Sequence, residues 1–462
     1  MVKTPGLNPP HLKFPAAAGN FGNHWMRPNN CIAVSRDKPD VVVVGWRYDG
    51  FFVSEDAGAS FRRTDESWHA HADVHGVRFD PTDPTGERIY TASDGGVLMA
   101  PGLGRNANHF VSLFNRQLAT LQFQTWPDRM FYGTMTPNPS DNGVVAGGLQ
   151  DNGNVSCAVE PMVLPWREFE FGDGHICTFV ATGHLLFHNN DEPPSVRHTK
   201  WDLATKTVGP NQIVPVTVAD PQLATPNGLQ GPVISAIASP RRRNGAGHSM
   251  YAVAGTKSSV FAFFSDHHGG TPGWEFIARV PIATGYAITA VASHDGERIF
   301  VGTAGGRFFL ITVETSHVWE LTLPPQKKPK QEEKDTAVHH IACLSSEMAF
   351  ATFNRVPSGT GILLRVRPPV VEQLLKAPSG PFYGLEVAPS FEGPALFAAT
   401  DDRVHVSRDK GISLGDSWML ASKGLPKRPH CGDLRYVPQP SGRRFLYLST
   451  YGRSVWRAVL GG

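Results

Sequence analysis

The sequence is short of charge, of cysteine and of long apolar runs, and each shortage closes off a class of protein. Only 18% of the 462 residues are Asp, Glu, Lys or Arg, and the two signs nearly cancel to a formal charge of +2. So even a balance supplies no field that would gather nucleic acid or an anionic membrane. The dense basic run Arg241-Arg242-Arg243 sits in a Gly- and Asn-containing stretch and reads as a solvated loop. The five cysteines, Cys31, Cys157, Cys177, Cys343 and Cys431, are odd in number and widely spaced, without a Cys-x-x-Cys pair. They read as reduced, mostly buried thiols of an intracellular fold and not as a disulfide framework. No apolar stretch is long enough to span a bilayer, and residues 1–20, with Pro5, Pro9 and Pro10, lack the apolar run of a signal peptide. The expectation is a soluble chain with no membrane or nucleic-acid partner, cytoplasmic as given and secreted if a signal has been removed.

Turn residues and short strand-forming runs are what the chain has in quantity. Gly (47) and Pro (38) together make close to a fifth of it, and Val, Phe, Thr and Trp recur in brief segments. Long amphipathic helical patterns are hard to find. A unit recurs at about 50 residues: an apolar strand, a turn, a second strand ending in small residues, then a third and a ragged fourth. Its second strands are Val41–Gly45, Arg88–Ala92, Val144–Gly148, Met250–Gly255, Arg298–Gly302, Ala395–Ala399 and Phe445–Ser449, with weaker copies at Gly183–Phe187 and Met348–Thr352. One such sheet cannot bury both faces alone, so the repeats are expected to close into a ring that leaves only short edges. The last unit, ending Arg453–Arg457, is expected to borrow its outer strand from His11–Phe14. Charged, proline-rich 324–335 fits no strand and reads as an exposed loop insertion.

Val53-Ser54-Glu55-Asp56-Ala57-Gly58-Ala59-Ser60-Phe61 matches the Ser-x-Asp-x-Gly-x-x-aromatic hairpin called the Asp-box. Val406–Gly411 followed by Trp418 looks like a second copy with an insertion, and Ser265–Gly269 before Trp274 like a degenerate third. In such a turn the Asp accepts backbone N–H bonds, the Gly supplies a positive φ, and the aromatic plugs between sheets. Further segments fit the same group: His71–His75 leading into Phe79–Pro84, Ser93–Val97, Gly147–Gly153, Gly172–Gly174 and Thr450–Trp456. Together they resemble the Asp-box, or BNR-repeat, β-propellers of the sialidase, xyloglucanase-like and sortilin-like group. The resemblance implies an all-β fold, a single β-propeller of four-stranded blades over residues 1–462, with seven to nine blades and a best count of nine. Two departures limit what it implies about activity. Xyloglucanases of this pattern have two propellers in tandem, and the Arg triad, Arg-Ile-Pro element and Tyr/Glu nucleophile pair of sialidases cannot be placed here. The group also contains binding proteins such as the sortilin ectodomain, so the fold by itself does not choose between catalysis and recognition.

In a propeller the residues just before each innermost strand line the central funnel. Here they include Asn30, the His69–His75 run, Asp173, His175, Tyr286, His339, His340, Tyr383, His430 and Asp433. Strand alternation would put His69, His71, Asp73 and His75 on one side, an arrangement that a divalent metal would stabilise. Glycosidic chemistry needs two carboxyl groups flanking the scissile bond. The candidate catalytic set is therefore Asp73, Asp173, Asp433 and His75, with His71, His175, Tyr286, His339, His340, Tyr383 and His430 contacting substrate and His69, His71 and His75 as metal ligands. Asp94 and Asp151 follow second strands and read as ordinary tight turns. The leading expectation is a carbohydrate-active enzyme, a glycoside hydrolase or lyase, with a carbohydrate or other small-molecule ligand in the funnel. One alternative is a non-catalytic glycan- or protein-binding propeller. Another is a metal-dependent lyase or isomerase with a His-rich axial site.

Overall fold

In the computed structural model the described residues are the strands and tight turns between Cys31 and Leu460. Residues 1–30, 64–73, 104–110, 113–122, 138–143, 159–166, 219–235, 239–249, 265–272, 322–335, 389–394, 408–417, 426–430 and 451–454, with shorter loop pieces, lie outside that description. Among the described residues every regular element is a strand, so no helix is long and apolar enough to cross a membrane. Each of the nine repeated segments is the second strand of a separate sheet. The chain divides into two compact units, Met1–Thr120 and Leu121–Gly462.

The shorter unit contains two antiparallel sheets. One runs Cys31–Val34, Val42–Trp46, Gly50–Ser54, Arg62–Arg63, and the other Val74–Phe79, Ile89–Ser93, Gly96–Ala100, Val111–Ser112. Alternation along the strands gives each sheet an apolar face, and these faces meet in a core of Ala33, Val43, Phe51, Val53, Val74, Val77, Ile89, Ala100 and Leu103. The turn after Gly50–Ser54 forms the hairpin expected of the Asp-box. Ser54 Oγ accepts from the Gly58 N–H at 2.8 Å and donates to Asp56 Oδ1 at 2.7 Å, while the Ser60 N–H reaches Asp56 Oδ1 at 2.8 Å. Ala57 and Gly58 take φ of 58° and 90°, and Phe61 is buried. The Ser60 hydroxyl and amide hold the Asp56 carboxyl down to about 2. The other two Asp-box copies fall mainly on 408–417 and 265–272, outside the described residues.

The longer unit carries a hairpin, Phe123–Trp126 with Arg129–Tyr132, and then seven sheets. Their first strands are Met135–Pro137, Gly174–Phe179, Ala236–Ala238, Ile288–Ser293, Thr336–Ser345, Phe382–Ala388 and Cys431–Pro438. Four strands in simple antiparallel order make up the first, fourth, fifth and sixth sheets. In the second, Gln212–Ile213 also pairs with Ser195–Asp202, and in the third Val216–Val218 adds in parallel to Gly273–Arg279. The seventh has three described strands, Cys431–Pro438, Arg444–Thr450 and Val455–Leu460. The segment expected to complete it, His11–Phe14, and the expected loop 324–335 both lie outside the described residues.

No sheet curls closed on itself. Instead the first strand of each packs against the first strand of the next, and Cys431–Pro438 of the seventh also packs against Met135–Pro137 of the first. Apolar clusters fill these junctions. Ile288, Val291 and Ile299 meet Val253, Val260 and Ala262 between the third and fourth sheets, and Phe300 and Phe308 meet Val338, Ala351 and Phe353 between the fourth and fifth. Val145 of the first sheet packs with Val437, Phe445 and Tyr447 of the seventh.

The small residue that ends many second strands has a physical cause. A side chain on Gly45 would meet Cys31 Sγ at 2.5 Å and Val74 Cγ1 at 2.8 Å, and one on Gly255 would meet Ile288 Cγ2 at 2.5 Å. One on Gly302 would overlap Val338. In each case the next sheet's opening β-branched residue lies on the glycine. Overpacking such a contact costs about 1–3 kcal/mol. Gly302→Ala is therefore expected to lower the unfolding free energy by that amount and the urea midpoint with it, whereas Gly442→Ala, which has open space but a φ of 81°, is a strain-only comparison. Equal stability of Gly302→Ala and the parent chain, measured by urea unfolding, would contradict this packing.

Candidate functional site

The first strands are irregular close to where they begin. Pairing with the second strand slips at His75 in the shorter unit, and at Thr289, His339 and Tyr383 in the longer one. It also slips across His175-Ile176 and across Gly432-Asp433. A bulge inserts a residue with no partner opposite it, bends the strand and re-aims its side chain. Five of the candidate residues read from the sequence thus stand at bulges. A backbone N–H beside a bulge loses its regular partner, and a hydroxyl on the second strand takes it up. The His340 N–H donates to Thr352 Oγ1 at 3.1 Å, and the Asp433 N–H to Ser449 Oγ at 2.9 Å.

Polar latches hold these strand starts to the preceding sheet. Asn354, buried on the fifth sheet, donates through Nδ2 to the Phe382 carbonyl at 2.6 Å and accepts from the Phe382 N–H at 2.9 Å, which fixes the residue before Tyr383. Thr289 Oγ1 donates to the Val338 carbonyl at 2.5 Å, beside His339. The Cys431 N–H donates to the Asp401 carbonyl at 3.1 Å, two residues before Asp433. The bulges at His339 and at Asp433 are each held both by a hydroxyl of their own sheet and by a contact to the preceding one.

His339, His340, Tyr383 and Asp433 come together through a residue that the sequence reading did not single out, Arg435. The ring of His340, on the fifth sheet, hydrogen-bonds the backbone of Tyr383 on the sixth and feels the charges of His339 and of Arg435 on the seventh. Arg435 Nη2 lies 2.9 Å from Asp433 Oδ2, with 29% of the Arg435 side chain exposed and none of the Asp433 side chain. Burial, the largest cause, pushes His339 down to about 4; burial, then His339, then Arg435 push His340 down to about 3. Each of the two residues as a whole is half-buried. The sixth sheet stands between the fifth and the seventh in a series of first strands that returns from the seventh sheet to the first. The chain is a β-propeller.

No family model matches the sequence, and no curated protein matches it either. Among solved structures it is similar to the Dos1 propeller, at 13% identity over 85% of this chain and 93% of that one, with a TM-score of 0.47. It is also similar to the RRP9 WD40 repeats, at 11% identity over 70% and 89% with a TM-score of 0.44, and to Saccharomyces cerevisiae Sqt1, at 10% over 71% and 95% with a TM-score of 0.45. Identities this low and superpositions this loose carry neither a family nor a function to this chain.

The remaining candidates are spread more widely. Tyr286 is half-buried and packs on the turn of its own fourth sheet, where a side chain on Gly305 would meet its Cε1 at 3.0 Å. His175 lies within Gly174–Phe179, and His75 is exposed in the shorter unit. His69, His71, Asp73, Asp173 and His430 lie outside the described residues. The described strand begins at Val74 and breaks register at His75, so strand alternation does not run through His75 as expected. Among the described residues no group of three or more His, Cys, Asp or Glu is placed to hold a metal ion.

Two neutral imidazoles at the hub tie stability to pH. An unfolded chain protonates His below about 6.5, whereas the folded chain resists until about 4 at His339 and about 3 at His340. Over that window the unfolded state binds more protons, so this contribution to stability is intact above pH 6.5 and is lost as the pH falls. The unfolding midpoint is expected to drop between pH 7 and pH 4, and to drop less in a His339→Gln/His340→Gln variant. Identical pH profiles for the two proteins would show that these rings are not buried.

Proposed function

We propose that the chain is a non-catalytic recognition protein that receives a segment of a protein partner at the hub of the longer unit. The observation that carries the reading is the state of the hub's polar groups. Asp433 is ion-paired with Arg435, its backbone is held by Ser449, and His339 and His340 are kept neutral by burial. Acid–base hydrolysis of a glycoside needs two opposed carboxyl groups, one of them free to give a proton. The carboxylate on the described hub is already engaged by a guanidinium. A metal centre fares no better there, since the Arg435 charge that helps keep His340 neutral also opposes a bound cation.

Recognition asks instead for donors and acceptors fixed in a water-poor opening, and bulges anchored by hydroxyls and latches supply them. Two imidazoles, a guanidinium and a tyrosine suit the amides and side chains of a polypeptide. The chain is to be screened against a displayed peptide library, a glycan array and chromogenic glycosides. Enrichment of peptides, lost in His339→Ala/His340→Ala, is the expected outcome. Binding of glycans alone, or turnover of a glycoside, would overturn the reading.

A further inference from the structure

We propose that the hub carries a carboxylate-binding position centred on Arg435, which takes an Asp or Glu side chain of the partner segment. This rests on the recognition reading above and adds the chemistry of what is recognised.

The ion pair is lopsided. Asp433 is wholly buried and Arg435 is not, so the positive partner is the accessible one. A guanidinium has five N–H donors in a planar fork. Here Nη2 ion-pairs with Asp433 Oδ2, and among the described residues Nη1 donates to the Leu434 carbonyl at 3.3 Å, while 29% of the side chain stays accessible. Asp433 acts as the group that fixes Arg435 in one orientation, which lowers the ordering cost when an anion arrives. A carboxylate matches the fork with two parallel bonds, in the geometry that makes Arg the usual partner of that group.

The surroundings favour an anion over other occupants. His339 and His340 are held neutral by burial, which leaves Arg435 as the cation of this group. A cationic side chain would face Arg435 directly. An uncharged amide would leave the fork half-satisfied.

The test uses the full chain and blocked hexapeptides, each with a central Glu or its isostere Gln, read by calorimetry. Glu peptides are expected to bind at least roughly tenfold more tightly than their Gln partners, the scale of one charge-assisted bond. Arg435→Gln should abolish that preference. Because this variant leaves Asp433 buried and unpaired, Asp433→Asn/Arg435→Gln provides the charge-neutral comparison and should abolish it too. Equal binding of Glu and Gln peptides to the parent chain, or a preference that survives the double variant, would overturn the proposal. If peptides bind without preference and His339→Ala/His340→Ala still removes binding, the carboxylate position fails while the recognition reading stands. If none binds, both fail.

Discussion

Close approach of one sheet's first strand to the next is the constraint on which the rest of the structure depends. A twisted four-stranded sheet has two faces to bury and gains little from its own strands, so its apolar residues are sheltered only when neighbours lie against both faces. That approach is steric before it is energetic. Val74 and Ile288 each open a sheet and Val338 lies two residues into one, and each sits where a side chain on the preceding second strand would be, over Gly45, Gly255 and Gly302. Large aromatics, among them Phe261, Phe263, Phe300, Phe308 and Phe309, fill the wider spaces farther along the strands. The glycine narrows the hub and the aromatics widen the rim, which suits a sheet that fans outward from a centre.

Gathering first strands in this way creates a polar problem as well as an apolar solution. Where strands crowd together they bulge, and every bulge releases backbone groups that cannot be left unpaired inside a protein. Thr352 and Ser449 answer this with hydroxyls, Asn354 with a two-way amide, and Thr289 with a bond to the next sheet's backbone. The same economy explains Asp433, whose buried charge is tolerable because Arg435 lies against it.

The strand starts were legible from the sequence because the repeat sets the phase. Reading back from each second strand to the start of the strand before it reached His339, His340, Tyr383 and Asp433, and these gather in the longer unit. Arg435 escaped because the reading stopped at strand starts, and a residue two positions inside a strand looks like any half-exposed arginine. Asn354 escaped for a similar reason: it lies at the end of a second strand, in a position that reads as packing, and its partner is another sheet's backbone. The His69–His75 run drew attention through its composition. Its last member stands at a register shift, where alternation of faces is lost.

By itself the sequence determined the all-β character, the repeating short antiparallel strands and the tight turn at Ser54–Phe61, because each depends on residues close in the chain: alternating apolar residues, glycines and a serine two positions before an aspartate. Only the tertiary structure decided which polar groups meet. His340 and Arg435 are separated by nearly a hundred positions and by an intervening sheet, and nothing local to either encodes their neighbourhood. It follows from seven sheets laid side by side, and from burial that keeps the imidazoles uncharged and leaves the guanidinium partly accessible.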